Sequence, residues 1–470
     1  MIALLTPPRP SRGHPGLFAA RGSFPDPALA YLAGHLRARG HACGIVDAKF
    51  EGLAHDAVVA RAIALVPRVV AISAYTAEIP SALRIADAIK RRAPWIYVVL
   101  GGPHASALPG ETLTAGRGLD AVAAGEGEEI LAALLEGGTA AVSIPGLWRH
   151  DGGPPPPAAP SVRPGITAAF DLWPRADIYY TLTYRGCPFP CSFCFRANGS
   201  GTRHRSVDEV IEELRAVARL DPRGGMAFLD ATFAIDRNRT ETLLDAMVRD
   251  GLASRLRWRC ATRVDCVTAA MCRRMREAGC TGVGLGIEAG SDRVLARTGK
   301  RTRVEECRHA VERVKEAGLE VTTFFVLGHP GETREDVERT ARLVVDLNPT
   351  RASISLMVPY PGTEVFELAR RSSGGYRLAT ADYARFTEPL GGALCIDGLD
   401  VALLRRLRRR ALLRLYLRNG RFAELACVLM ARLIPRSHPS IARLRPRLRL
   451  ARSAGSIPAG SIPRTGEGTT

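Results

Sequence analysis

The stretch Arg185-Gly186-Cys187-Pro188-Phe189-Pro190-Cys191-Ser192-Phe193-Cys194 carries three thiols, separated by three and then by two residues, directly after the strand-like run from Ile178 to Tyr184. Three thiolates on one loop can take three irons of a cubic iron–sulfur cluster and leave the fourth iron without a protein ligand, open to chemistry. Two other uses of the thiols fit less well. A disulfide pair sits badly with an odd total of 11 cysteines and no secretory signal. A structural zinc site wants a fourth ligand close by, and the nearest candidate, His204, lies ten residues past Cys194.

The motif reads CxxxCxΦC with Phe193 as the aromatic Φ, and it resembles the radical S-adenosylmethionine (radical SAM) superfamily. The resemblance implies that Cys187, Cys191 and Cys194 hold a [4Fe–4S] cluster whose open iron is chelated by S-adenosylmethionine. Reductive cleavage then yields a 5′-deoxyadenosyl radical. An external electron donor of the flavodoxin or ferredoxin type is implied with it.

Around this loop the chain repeats strand plus helix six times. The strands are expected at Ile178 to Tyr184, Met226 to Asp230, Arg257 to Thr262, Gly282 to Glu288, Val321 to Leu327 and Ala352 to Val358. Capping boxes at Ser206/Glu209, Thr302/Glu305 and Thr333/Asp336 announce helices, and Gly279 and Gly318 end them. Six such units fit an open parallel β/α barrel, whose functional groups gather at the strands' carboxyl ends. Those ends hold Asp230, Arg263, Glu288 and Gly328. Arg263 can offer a fork of donors to a carboxylate or ribose oxygen, and Glu288 can accept from ribose hydroxyls or an amino group. By the resemblance these positions, with Phe193, bind S-adenosylmethionine. Gly328 to Glu332 also reads as a tight turn before a capped helix. Gly282-x-Gly284-x-Gly286 is a glycine-rich strand, since no phosphate-binding turn into a helix follows it. Arg203 and Arg205 read as solvated or as ligand contacts.

Upstream, five apolar strands (Ile2 to Thr6, Gly44 to Asp47, Val69 to Ala74, Trp95 to Leu100, Leu119 to Ala123) alternate with helical patterns, among them Asp26 to Arg39 with its stop at Gly40. The pattern predicts a doubly wound parallel sheet that binds ligands outside the carboxyl ends of its strands. Ser73 and Thr76, Gly101-Gly102 with His104, and Gly125-Glu126-Gly127-Glu128 lie there, and glycines let a large ligand approach the backbone. With the downstream cysteine motif, this block resembles the cobalamin-binding domain of one branch of the superfamily. The resemblance implies cobalamin contacts at Ser73, Thr76, Gly101, Gly102, His104, Gly125 and Glu126. The D-x-H-x-x-G signature is absent; His14, His35, His41 and His104 are the candidates weighed in this block, and no axial ligand is assigned.

The expected organisation is therefore an α/β chain with a Rossmann-like cobalamin-binding domain at 1–142, a Pro/Gly-rich linker at 143–174 and a partial (β/α)6 barrel at 175–370. A helical, arginine-rich segment follows at 371–452, and a disordered tail at 453–470. With 46% hydrophobic and 24% charged residues, no apolar run long enough to span a bilayer and an N-terminus that reads as a buried strand, the composition suits a cytoplasmic protein. The net charge of +18 is concentrated in one arm, where Val401 to Arg452 holds fifteen arginines against the single acid Glu424. The helix from Leu399 to about Leu417 is expected to pack its leucines and solvate its arginines. Peripheral contact with an anionic membrane is the alternative, and nucleic acid is disfavoured. Asp382 to Leu390 reads as a loop with Phe386 exposed. Cys260, Cys266, Cys272 and Cys280 match no metal-ligand spacing and read as buried thiols.

The preferred function is a cobalamin-dependent radical SAM enzyme that methylates an unactivated carbon of a small molecule, of secondary-metabolite or lipid-like kind. A radical cyclase of the tetrapyrrole type is the first alternative. A tRNA methylthiotransferase would carry three cluster cysteines in its N-terminal domain, where this chain has only Cys43. A non-catalytic cobalamin sensor would have no use for an open iron.

Overall fold

Strand formation follows the apolar runs. The computed structural model describes residues 1–8, 25–139, 143–158, 167–173, 176–220, 225–387, 391–422 and 425–426. The expected tail, the arginine-studded stretch after Pro435 and His14 lie outside them. The described residues up to Arg410 form one compact unit, and those from Ala411 on belong to a second.

In the N-terminal sheet, β1 (Ile2–Thr6), β2 (Cys43–Asp47), β3 (Val69–Ser73), β4 (Tyr97–Gly101) and β5 (Ala121–Ala123) run parallel in the order β2-β1-β3-β4-β5. The order turns around β1 and β3, as in doubly wound folds, where ligands settle at the carboxyl edge. Strand β1 is buried at every residue, which explains its unbroken apolar run. The segment expected to be linker instead supplies β6 (Leu147–Arg149), antiparallel to β5 at the sheet edge, and a short 3-10 turn at Phe170–Leu172.

The second sheet is the parallel six-stranded wall of the partial barrel. It is built from β7 (Ile178–Thr181), β10 (Gly225–Phe228), β11 (Arg257–Arg263), β12 (Cys280–Glu288), β13 (Glu320–Leu327) and β14 (Arg351–Leu356), in that spatial order. Between β7 and β10 a two-stranded ribbon, β8 (Tyr184–Arg185) with β9 (Arg203–His204), pairs Tyr184 with His204 and Arg185 with Arg203. A second ribbon, β15 (Tyr376–Leu378) with β16 (Leu394–Ile396), follows the barrel.

Two capping boxes form as expected, at Ser206/Glu209 and Thr333/Asp336. The third is shifted by one residue. Helix Val304–Glu316 starts after Arg303, whose N–H donates to Glu306, because Asp292 accepts from Val304 N at 2.7 Å and fixes the first turn from outside. Of the segment from 371 grouped as helical, the part before Val401 instead forms the second ribbon, with a 3-10 turn (Tyr383–Arg385) inside the expected loop, and helix Val401–Arg418 follows. Phe386 is 1% exposed, not exposed as expected, because it packs with Val358, Phe366 and Ala393. In Val401–Arg418, Leu404 and Leu407 are buried while Arg405, Arg406, Arg409 and Arg410 are exposed.

The sheet and the barrel meet through a buried carboxylate. Glu213, fully buried on helix Val207–Leu220, accepts from Tyr31 Oη at 2.7 Å, from Ala168 N at 3.1 Å and from Arg205 Nη2 at 3.0 Å. Tyr31, on helix Pro27–Ala38, in turn accepts from Leu182 N at 2.9 Å. Arg205 neutralises the charge, and three donors fill the carboxylate's lone pairs, the condition under which a buried ion is tolerated.

Gly186, at the foot of the cysteine loop, has φ +89°, and a Cβ there would stand 1.8 Å from Gly201 O. Gly186→Ala is therefore expected to lower stability by about 2–4 kcal/mol, through both strain and a backbone clash. Urea unfolding checks this; an unchanged midpoint would show that the loop base has slack.

Candidate functional site

The cysteine loop is held at both flanks and at its stem. Cys187 N donates to Gly199 O (3.2 Å) and Cys194 N to Cys191 O (3.1 Å). Ser192 donates its N–H to Thr298 O (3.1 Å) and accepts from Val365 N (3.2 Å). All three thiols are free; Cys187 and Cys191 are half-buried and Cys194 is exposed. Burial raises the Cys191 thiol above its ordinary range, against the opposing charges of Lys300 and Arg263. Among the described residues no group of three or more His, Cys, Asp or Glu side chains is already gathered in metal-holding geometry. A cavity of about 420 Å³ borders the loop, lined by Cys191, Cys194, Phe195, Arg196 and Gly362 among others.

The residues expected at the S-adenosylmethionine site divide into two groups. Arg263 and Glu288 face the loop's surroundings. Arg263 ends β11, lies 3.8 Å over the Phe189 ring, forks onto Asp265 and donates to Lys300 O at 2.7 Å. Its Nη1 is buried without a hydrogen-bond partner. Glu288 ends β12 at φ +68°, where the register slips against β13, and pairs with Lys300 Nζ at 2.8 Å. Burial works against the Lys300 charge, and Glu288 outweighs it, leaving the ammonium above its ordinary range. A Cβ on Gly286 would stand 2.6 Å from Glu288 Oε1 and 2.7 Å from Lys300 Nζ, so a side chain there would have to displace this ion pair.

Asp230 and Gly328 are engaged within the protein. Asp230 accepts from Thr183 N and Thr183 Oγ1, both at 2.7 Å, and so buttresses the chain just ahead of the cysteine loop. Burial pushes its carboxyl up to about 6. Gly328 donates to Glu332 Oε2 and accepts from Tyr376 Oη at 2.6 Å, the arrangement of a tight turn beneath the second ribbon. Phe193 stacks edge-on at 5.4 Å with His329 and packs beside Met357 and Val365. His329 is buried, which lowers its imidazole to about 4.

On the N-terminal sheet, Ser73, Gly101, Gly125 and Glu126 lie at strand ends as expected. A side chain on Gly101 would meet Ala123 only at 3.6 Å, so the packing of the chain does not explain the glycine. Gly102 (φ +103°) is required by Ala74 O, 2.6 Å from where its Cβ would be. His104 is buried, 3.4 Å from Thr76 Oγ1 and edge-on to Tyr383 at 4.5 Å; burial lowers it to about 4. His35 and His41 stand 3.6 Å from Glu129 and 3.7 Å from Glu136. Glu126 pairs with Arg203 and, at 3.5 Å, with Arg185; Glu128 pairs with Arg185 at 2.5 Å. Arg205 is the partner of Glu213. Sequence reasoning missed Lys300 and Arg185, whose partners, Glu288 at the end of β12 and Glu126 with Glu128 at the start of helix Gly127–Gly137, lie outside any local spacing.

Residues 181–344 match the Radical SAM superfamily and residues 13–135 the B12 binding domain. Among curated proteins, the "Uncharacterized methyltransferase PH0819" of Pyrococcus horikoshii is 31% identical over 412 residues, 84% of this chain and 88% of that protein. The anaerobic magnesium-protoporphyrin IX monomethyl ester cyclase of Cereibacter sphaeroides is 29% identical over 381 residues, covering 76% of this chain and 62% of that one. The radical S-adenosylmethionine methyltransferase TsrM from Kitasatospora setae shares the fold, with a TM-score of 0.67 at 23% identity over 86% of this chain and 88% of that one. This chain belongs to the radical SAM superfamily, in the branch that carries a B12 binding domain. It is a radical SAM enzyme, and its cofactors are a [4Fe–4S] cluster, S-adenosylmethionine and cobalamin.

The residues present fit these groups. Three free thiols without competing hydrogen bonds stand on an anchored loop, the orphaned Arg263 Nη1 lies beside that loop, and the glycine at Gly101, a strand end, is not explained by the chain's own packing.

Glu332 gives a pH test of this region. Burial pushes its carboxyl up to about 7, so between the ordinary glutamate range and pH 7 the folded state binds more protons than the unfolded one. The Glu332 contribution to stability is then expected to fall by about 3 kcal/mol as pH rises through that window, against the opposite contributions of the buried His104 and His329. Glu332→Gln should flatten the fall, and denaturant midpoints at several pH values would show it; equal slopes in both proteins would contradict the assignment.

Proposed function

We propose that this chain is a methyltransferase acting on an unactivated carbon of a small molecule. The observation that carries this choice is the end-to-end match to a protein named methyltransferase, 88% of whose length is covered, against 62% for the cyclase. A radical cyclisation is the second reading, favoured by the cyclase's own 29% identity.

When bound, the cluster with S-adenosylmethionine supplies a 5′-deoxyadenosyl radical that takes a substrate hydrogen, and cobalamin supplies the methyl group. The protein's part is binding and alignment. Cys187, Cys191 and Cys194 would hold three irons, and the bonds of Ser192 to Thr298 and Val365 keep their loop in register with the barrel. Arg263 Nη1, buried without a partner, would donate to the carboxylate or ribose of S-adenosylmethionine, while Asp265 and Lys300 O hold the rest of the guanidinium still. Glu288 would accept from the cofactor's amino group or ribose. Ser73, Thr76, Gly101, Gly102, His104 and Gly125 remain the proposed cobalamin edge, with Thr76 and His104 acting from beneath it because both are buried. A reductant is required by this class of enzyme; a flavodoxin or ferredoxin is the proposed donor. No helix among the described residues is long and apolar enough to cross a membrane. The exposed arginines of Val401–Arg418 are the proposed surface for any peripheral contact with anionic lipid.

The test is anaerobic reconstitution with iron, sulfide and cobalamin, followed by a substrate screen for a methyl mass shift. Retention of cluster and cobalamin is expected. Cys191→Ala should abolish cleavage of S-adenosylmethionine while cobalamin stays bound. A cluster without cobalamin would remove the methyl-transfer reading in favour of cobalamin-free radical chemistry.

A further inference from the structure

The cysteine loop has one covalent foundation, the ribbon β8–β9. Its two paired residues, Arg185 and Arg203, are cross-strand partners, and both side chains reach carboxylates of the N-terminal sheet. Arg203 meets Glu126; Arg185 meets Glu128 at 2.5 Å and Glu126 at 3.5 Å. The four groups form a charge-neutral quartet with side chains only 5–22% exposed. Burial alone would push Glu128 up, but Arg185 more than offsets it and leaves the carboxyl below the ordinary range. Tyr31 packs its ring 5.8 Å from the Arg185 guanidinium, so the quartet is braced from one side by helix Pro27–Ala38.

Both carboxylates come from the carboxyl end of β5, where Gly125 turns the chain at φ +104° and helix Gly127–Gly137 begins. That is the edge proposed above for cobalamin. We propose that Glu126 and Glu128, with Arg185 and Arg203, form a latch that sets the spacing between the cluster-bearing loop and the cobalamin-bearing strand ends. They are positioning residues: Glu126 acts through arginine and not, as its place in the sequence suggests, on the corrin itself. Two features give the latch its leverage. The Arg185 guanidinium spans both carboxylates, and that of Arg203 spans Glu126 and, at 2.8 Å, Asn198 O, so each planar fork fixes direction as well as distance. The crowding of Gly186 against Gly201 O leaves the loop's base no slack to absorb a shift, so a displacement at the arginines passes to the cysteines.

The proposal rests on Cys187, Cys191 and Cys194 holding the cluster. It is tested by pulsed electron paramagnetic resonance of the dipolar coupling between the reduced cluster and cob(II)alamin in the loaded protein, with iron and cobalamin measured in each sample. The unaltered chain should give one narrow distance. Arg203→Gln and Glu128→Gln should keep both cofactors and broaden or shift that distance, and the reversed pair Glu128→Arg with Arg185→Glu should recover it. An unchanged distance in the single variants overturns the latch. So does loss of cobalamin with the cluster loop's hydrogen exchange unaltered, since the carboxylates would then be ligand contacts. If Glu128→Gln does not fold, Arg203→Lys, which keeps the charge and loses the fork, must move the distance; no movement there also overturns it. Failure of the unaltered protein to hold iron would sink the cluster reading instead. Hydrogen exchange of 186–202 in the cofactor-free chain would then decide the latch, which requires faster exchange in Arg203→Gln.

Discussion

The buried carboxylate of Glu213 is the contact on which the arrangement of the two sheets depends. It gathers a phenol from helix Pro27–Ala38, an amide from the connecting segment and a guanidinium from the start of the barrel. None of these groups has water to fall back on, so removing any one leaves a charge or a donor stranded. The same tyrosine caps the amide of Leu182, a few residues before the cysteines. The consequence is that the N-terminal domain is bonded into the barrel at the point where the cluster loop departs.

From that joint the site is built by backbone more than by side chains. Thr298 and the helix Glu364–Arg370 hold Ser192 from two sides, while Asp230 holds Thr183 at the loop's approach. The polar side chains left over are few. Arg263 keeps one unsatisfied donor, and Lys300 with Glu288 forms a buried pair whose partners can be exchanged for ligand charges. Pairing Lys300 with Glu288 and Arg263 with Asp265 compensates the site's ionic groups within the protein, which limits the cost of burying them.

Much of this was legible in the sequence, for local reasons. The cysteine triad is a nearest-neighbour pattern, and both parallel sheets announce themselves as apolar runs because their strands are buried on two faces. Strand β6 escaped notice because three residues, Leu147 to Arg149, carry too little periodicity amid proline and glycine. The capping box near residue 303 slipped because Asp292, a tertiary partner, selected the helix start. Phe386 read as exposed because its neighbours Val358 and Phe366 come from another part of the barrel. The same limit applies within the site: Gly328 and Asp230 were placed at the right strand ends, but what their hydrogen bonds do depends on Tyr376 and Thr183. Glu126 shows it most clearly, since its arginines lie far along the chain.

The anchoring of Ser192 has an implication for biogenesis. Its amide is answered by Thr298 and its carbonyl by Val365, both of which leave the ribosome long after the cysteines do. During synthesis the three thiols therefore emerge on an unsupported segment, open to oxygen and to stray metal, and they gain their final backbone frame only when the last barrel helix has docked. On the proposed ligand set, the backbone frame of the cluster is complete only with the barrel, and a chain truncated before Val365 would lack the bond that holds the Ser192 carbonyl.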